Sequence, residues 1–289
     1  MTVMFLRNLI IGVTILLLIS FLGILHPVGD SLSVVRLPLA ILLAVLTLFS
    51  YRQPTLMIAG FIVAIVSSAS VLWAYHGQSI PKNSDMSVYQ KNLSFRPGDR
   101  SDILNDILML KPDVITFQEV HKRHLPLINA LKKHYPHHIV CPFAAVGAVA
   151  VLSRMPLASD AYRCEIGLGI AALHVQSPEG PLWVVSIHQH WPWPFQQDDQ
   201  AEQIIPLLAD LDGLKLIAGD FNMVPWSHNL DEYAAATNTQ LAGPFKASFL
   251  FKGTYAMRID HVLAPKGGKT FLRPYYGSDH HGLFARVDL

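Results

Sequence analysis

The chain has 289 residues, a formal net charge of +1, 51% hydrophobic residues and only 15% charged ones. Soluble domains carry roughly 25% charged residues, so a large apolar mass must sit apart from an ordinary domain. The part after residue 76 holds all but three of the basic residues and all but one of the acidic ones; its slight acidity argues against the basic surplus with which proteins grip nucleic acid.

In chain order, three apolar blocks come first, at about 8–25, 34–51 and 55–75. Each approaches the roughly 20 residues that carry a helix across a bilayer. Pro27 and Pro54 punctuate the breaks between them. The first block lacks a small-residue cleavage pattern and two more follow it, so a signal peptide is the poorer reading. Three transmembrane helices are expected in an anchor over 1–78, with Arg36 snorkelling to the interface. Arg7 and Arg52 flank alternate ends of the spans. If both face the cytoplasm, the remainder of the chain lies outside, with Trp73 and Tyr75 in the outer aromatic belt.

The polar stretch His76–Asp85 reads as a linker into a second unit, 79–289. There strand and helix signals alternate. "MSVYQKNLSF" is a strand ending near Asn92, and "RSDILNDILMLK" has helical spacing at Ile103, Ile107 and Leu110. "DVITFQEV" is a short strand with Glu119 at its tip, followed by a helix in "HLPLINALKKH" and a strand in "GAVAVLSRMP". Ile170–His190 reads as two strands around a Pro/Gly turn. A helix with acids in its first turn follows, then a strand running into Asp220, and the last strands lie in "RIDHVLAP" and "GLFARVDL". Hairpins mixed with helical crossovers suggest two packed mixed sheets with helices outside.

Asn92, Glu119, His188, Asp220, Asn222, Asp260 and His280 all fall at or near strand ends, where sites collect in layered α/β folds. A single strand-end Asn or Asp often only caps a turn; seven whose types fit one reaction are harder to dismiss. The reaction is hydrolysis of a phosphate ester or anhydride, which needs a divalent cation and an activated water. Glu119 with the Asn92 amide suits Mg²⁺, which takes few protein ligands, and Mn²⁺ would suit the same ligands. Asp220 is placed to take a proton from water and Asn222 to donate to a phosphoryl oxygen. His188 and His280 supply further donors, and Asp260 would fix the tautomer of His280.

The set "QKNLSF", "ITFQEV", "GAVAVLSRMP", "VVSIHQH", "GDFNMVPWS", "RIDHVL" and "GSDHHGLF" resembles the endonuclease/exonuclease/phosphatase superfamily, in the family's order, from about residue 86 to 289. "GDFN" with a late "SDH" is the specific part. The resemblance implies a four-layer α/β sandwich, two mixed β-sheets flanked by helices. It implies Asn92 and Glu119 at Mg²⁺ with Asp279 nearby, Asp220 and Asn222 at the water and phosphate, an Asp260–His280 pair, and His188 on the phosphate. Ser94 stands where many nucleases of the family have an acid, and the segment between "GDFN" and "RIDHVL" is short for DNA-gripping loops. With three apolar blocks, the chain is similar to the membrane-anchored bacterial branch, some of whose members handle polyprenyl pyrophosphate.

Trp191, Trp193 and Phe195 follow His188 closely. They either pack under their own proline-stiffened loop or dip into a membrane interface, where Trp is favoured. Cys141 and Cys164 are read equally well as a disulfide or as buried thiols. The expected partners are the lipid bilayer and a phosphorylated lipid, with nucleic acid less favoured and no protein partner evident. The expected enzyme is a metal-dependent phosphoesterase acting outside the membrane. A tethered nuclease, a sphingomyelinase-like phosphodiesterase and an inactive binding module are the alternatives.

Overall fold

The computed structural model describes residues 3–76 and 86–289, with side chains at all but 76 and 159–161. Most of the expected linker therefore lies outside the described residues. Four helices lead: α1 (Val3–Ile19), the short α2 (Val28–Ser33), α3 (Arg36–Leu48) and α4 (Pro54–His76). Then come β1 (Met86–Asn92), α5 (Ser101–Leu110), β2 (Val114–Val120), α6 (Leu125–Leu131), β3 (His137–Ala144), β4 (Gly147–Ser153), β5 (Leu157–Glu165), β6 (Ile170–Ser177) and β7 (Gly180–His188). The chain continues through α7 (Gln197–Ala209), β8 (Leu214–Asp220), α8 (His228–Thr237), β9 (Gln240–Leu241), β10 (Phe249–Phe251), β11 (Tyr255–Met257), β12 (Asp260–Ala264), β13 (Gly268–Arg273) and β14 (Gly282–Val287).

Central strands that are apolar on both faces must be covered on both faces, and this sets the layers. Val88, Val114 and Val151 of one sheet meet Leu173, Val184 and Leu216 of the other. Their strand neighbours Tyr89, Ile115 and Leu152 turn outward onto Ile103 and Ile107 of α5 and Ile128 of α6. On the far side Val185 and Ile217 turn onto Ile204 of α7 and Tyr233 of α8. The sheet orders are β13-β14-β1-β2-β4-β3 and β5-β6-β7-β8-β12-β9, with β10-β11 a separate hairpin. Among the described strands, β1–β2 and β7–β8 pair in parallel and the other strand pairs are antiparallel. The expected sandwich of two mixed sheets flanked by helices is what the residues form.

Strands β3, β5, β9, β10, β11 and β13 and helices α2 and α8 are additions to the elements expected. β3 is an edge strand interrupted by Pro142, and α8 is polar over much of its length, so neither shows strong periodicity. Cys141 of β3 and Cys164 of β5 form a disulfide that staples the edges of the two sheets.

The expectation of three transmembrane helices is corrected. Among the described residues one helix, Pro54–Tyr75, is long and apolar enough to cross a membrane. α1 and α3 have 17 and 13 residues, about 25 and 20 Å at 1.5 Å per residue, short of a hydrocarbon core of about 30 Å. The first block stops helically at Ile19 because the chain turns through Ser20–Gly23 and back into α2. The turn is tight enough that a Cβ on Gly29 would meet the Gly23 backbone nitrogen at 2.4 Å. Arg36 does not snorkel. It is buried, donates from Nε to Ser20 Oγ at 3.0 Å and to the Ser20 carbonyl, and lies over the Phe21 ring at 4.1 Å. It thus satisfies the end of α1.

α2 docks the leading helices onto the sandwich. The Asp30 carboxylate accepts from the backbone N–H of His228 and of Asn229, each at 2.8 Å, so it caps the first turn of α8 from across the molecule. Trp226 Nε1 donates to the Ser33 carbonyl at 2.8 Å, and Tyr75 packs on Trp226 and Phe245. Tyr75 therefore faces protein rather than an aromatic belt. Asp30→Ala is expected to weaken this joint by about 1–2 kcal/mol, the cost of a lost cap. The measurement is hydrogen exchange at the His228 and Asn229 amides; unchanged exchange there would refute the contact.

Candidate active site

Sheet register builds the site. β7 and β8 run parallel with His188 beside Asp220, and β8 and β12 run antiparallel with Asp220 beside Asp260. These three side chains therefore form one row across the second sheet. On the first sheet, β1 ends at Asn92 in register with Gln118 of β2. A register irregularity between Phe117 and Val120 brings Glu119 to φ 55°, a left-handed backbone rare outside glycine. Asn222 is held likewise at φ 49°. Residues kept in such conformations collect where function requires a side chain to be aimed.

Gly219, the glycine of "GDFN", has a steric role. A Cβ there would sit 1.9 Å from the Ile187 carbonyl oxygen, so only glycine lets β7 and β8 close and bring His188 beside Asp220.

Seven expected residues converge. Asn92 Nδ2 donates to Asp220 Oδ2 at 3.0 Å and to Glu119 Oε1 at 3.2 Å. His188 Nε2 lies 3.7 Å from Asp220 Oδ2 and 4.0 Å from Glu119 Oε1. His280 Nδ1 binds Asp260 Oδ2 at 2.8 Å, and its Nε2 lies 3.7 Å from Asp220 Oδ2. The Asn222 backbone N–H donates to Asp220 Oδ1 at 2.9 Å, and Asn222 Nδ2 donates one hydrogen to the Gln189 carbonyl at 2.7 Å. Asp279 lines the same pocket, half-exposed, 3.5 Å from Arg96. Trp191 lines it too, whereas Trp193 lies beyond its rim.

Burial and charge sort the protonation states. Burial raises the Asp220 carboxyl to about 7. For His280, burial pulls downward, but the Asp260 and Asp220 carboxylates outweigh it and hold the imidazole at about 9. Asp260 is buried too, yet its pairing with His280 keeps it below the usual carboxylate range. His188 is pushed down to about 3 by burial and by the His280 charge, so it is a neutral ring. Burial also raises Glu119.

Several contributors escape a motif search. Gln90 Nε2 donates to Asp260 Oδ1 at 2.7 Å and to Gln118 Oε1 at 2.8 Å, and Gln118 Nε2 donates to Ser186 Oγ at 2.9 Å. This polar ladder crosses between the sheets and orients Asp260. Buried Lys91 donates to the His280 carbonyl and fixes the loop. Phe249 packs on the His280 ring at 4.7 Å. The signal for Gln90, Lys91 and Gln118 was their polarity within apolar strands.

Asp220, Asp260 and His280 offer ligand atoms within 4.8 Å of one another, but His280 and Asp260 satisfy each other directly. The better cation position lies toward Glu119. Among the described residues no Lys or Arg ion pair is made by Glu119 or Asp220, and Asp279 repels Glu119. Hard carboxylate oxygens gathered at a pocket wall match Mg²⁺. Asn92 turns its Oδ1 to the Ser94 N–H at 2.9 Å, so here it joins the two carboxylates through its nitrogen.

Fold and site together define a phosphoric ester hydrolase of the metal-dependent class. The family model for the Endonuclease/Exonuclease/phosphatase family matches residues 89–280, and the chain belongs to that family. Similar solved structures include an endonuclease/exonuclease/phosphatase family protein from Leptotrichia buccalis, 14% identical, TM-score 0.54, covering 71% of this chain and 100% of that one. A double-mutant beta toxin from Staphylococcus aureus with bound magnesium ions is 13% identical, TM-score 0.53, with coverage of 71% and 100%. Truncated Caenorhabditis elegans TDP2 is 18% identical, TM-score 0.51, with coverage of 69% and 96%. At these identities the likeness is one of fold. No curated protein matches the chain by sequence.

Proposed function

We propose that this chain is a membrane-anchored, divalent-metal-dependent phosphoesterase that hydrolyses a lipid phosphate or pyrophosphate at the outer face of the membrane, with a polyprenyl pyrophosphate the favoured substrate. The observation carrying this reading is the docking of apolar helices onto the sandwich beside the pocket. α1, α3 and α4 share a small core of Ile10, Leu17, Leu43 and Ala64. Outward they expose Leu16, Ile41, Ile62, Ile65 and Trp73, a surface suited to lipid rather than water. α1 and α3, too short to span alone, pack on α4 through this shared core.

Orientation has two supports. Arg7 and Arg52 line one cavity at the same end of the helical bundle, whereas Asp30 and Tyr75 meet the catalytic part. Cytoplasmic arginines then put the active site outside. The Cys141–Cys164 disulfide suits an oxidising compartment.

Glu119 and Asp279, with Asn92 holding Glu119 in place, would carry Mg²⁺. When bound, the cation neutralises phosphoryl oxygens as charge builds during attack. Asp220 Oδ2 takes the proton of the attacking water. The second hydrogen on Asn222 Nδ2 is free to meet a phosphoryl oxygen. His280, kept protonated by Asp260, faces the developing charge, and neutral His188 donates from Nε2.

The decisive assay offers the full chain in detergent a polyprenyl pyrophosphate, sphingomyelin and plasmid DNA, each with and without chelator. Chelator-sensitive cleavage of the pyrophosphate is the expected result; cleavage of DNA alone sinks the reading. The double change Trp191→Ala/Trp193→Ala is expected to lower kcat/KM on lipid by about tenfold or more and to spare a water-soluble phosphodiester. Equal loss on both would remove the membrane role of that loop.

A further inference from the structure

Beside the pocket that holds His188, Asp220 and His280 lies a second cavity, a groove of about 440 Å³. Its walls come from three separate stretches of chain. Val34 and Val35 at the start of α3 form one side, Trp191 and Trp193 of the loop after β7 another, and Phe251 and Met257 of the β10–β11 hairpin the third. Among the described residues no charged side chain lines it. Its two hydroxyls are already spent on backbone: Ser31 Oγ donates to the Trp193 carbonyl at 2.7 Å, and Tyr255 Oη to the Val34 carbonyl at 2.7 Å. Apart from the indole N–H groups of Trp191 and Trp193, its walls offer hydrocarbon, so a largely polar ligand would leave most of its groups unpaired and would not be favoured there. A hydrocarbon would.

The groove and the catalytic pocket share Trp191 as a common wall. A row of rings runs from one to the other. Phe249 lies 4.7 Å from the His280 ring, Trp191 6.0 Å from Phe249, and Phe251 6.1 Å from Trp191. At its outer rim Trp193 and Phe195 are 45% and 61% exposed. The side formed by Val34 and Val35 is the turn that leads from α2 into the apolar helix α3, so the groove lies at the junction of the helical bundle and the sandwich.

We propose that this groove is the subsite for the hydrocarbon chain of the substrate. The occupant is the isoprenoid or alkyl chain attached to the phosphate whose head sits at His280 and Asp220. The anchor thus supplies part of the substrate site besides tethering the enzyme. This rests on the lipid reading above. Polarity selects the occupant: a pocket whose His188, His280 and Asn222 can donate to a phosphate head, joined to a groove lined by apolar side chains, fits an amphiphile. A peptide segment would leave backbone polar groups unpaired in the groove.

The test compares kcat/KM of the full chain, in detergent with Mg²⁺, on isoprenyl pyrophosphates of five and fifteen carbons. The variants are Phe251→Ser, which opens the groove, and Val35→Trp, which fills it; neither residue touches the reacting groups. The unmodified chain is expected to prefer the longer substrate by roughly a hundredfold, the gain from burying about three or four of the ten extra carbons at about fourfold each. Both variants should cut that preference by about tenfold or more, leaving five-carbon turnover within about twofold. A chain-length preference intact in both variants overturns the groove and leaves the lipid reading standing. Hydrolysis of bis(4-nitrophenyl) phosphate with neither pyrophosphate cleaved sinks both. A binding readout stands apart from activity: a spin-labelled alkyl phosphate should quench Trp fluorescence more than spin-labelled phosphatidylcholine at equal concentration, and less so in Val35→Trp. Equal quenching by the two probes marks passive contact with the bilayer and overturns the proposal.

Discussion

Asp220→Asn is expected to lower kcat on a phosphodiester by about a thousandfold, in the middle of the range for a lost general base, while the protein stays folded. The carboxylate sits at the crossing of the network, receiving hydrogen bonds from Asn92 Nδ2 and the Asn222 N–H, with both catalytic imidazoles 3.7 Å away. An amide of the same shape cannot take the water's proton. It also offers one acceptor where the carboxylate offered two, so either Asn92 or Asn222 loses its partner at a cost of about 1–3 kcal/mol. Against that, burial has raised Asp220 to about 7, which means the buried charge is itself unfavourable above that pH, and its removal offsets the lost bond. Tm is therefore expected within about 4 °C of the unmodified value. A variant that folds and keeps more than about a tenth of the turnover would remove Asp220 from the base role.

The sandwich was legible because its signal is local. The short apolar runs in "DVITFQEV" and "VVSIH" and the helical spacing of Ile103 and Ile107 are read within a few residues of chain. The polar tips were legible for a related reason: an Asp, Asn or His at the end of an apolar run stands out. What holds those tips was not. The Gln90–Gln118–Ser186 ladder depends on two sheets being stacked, and no residue in either strand announces its partner more than twenty positions away. Asp30 capping α8 from 198 residues upstream is the extreme case. The apolar blocks misled for the opposite reason. Hydropathy counts residues, not helical length, so it could not register that the chain turns after Ile19 and spends Arg36 on closing that turn. Cys141 and Cys164 were undecidable because their pairing depends on β3 and β5 meeting at the sheet edges.

Asp260→Asn is expected to reshape the pH profile as well as lower the rate. The proposed chemistry needs Asp220 unprotonated and His280 protonated, so kcat/KM should follow a bell with an acid limb near 7 and an alkaline limb near 9. Burial alone would depress His280. The Asp260 carboxylate 2.8 Å from Nδ1 is the largest opposing influence, ahead of Asp220. Deleting that charge should move the alkaline limb down by about 1–3 pH units, the effect of one close counter-charge. The window between the two limbs then closes, and little active enzyme remains at any pH. Stability carries the same signature. The folded-state pKa of His280 stands above its ordinary value of 6.5, so the pairing stabilises the fold fully below about 6.5 and is lost as pH rises through about 9. The unmodified protein should therefore lose part of its stability across that interval, and Asp260→Asn should lack this decline. An alkaline limb left in place in Asp260→Asn would show that another group sets it, and would dissolve the Asp260–His280 pair as the device that keeps the imidazole charged.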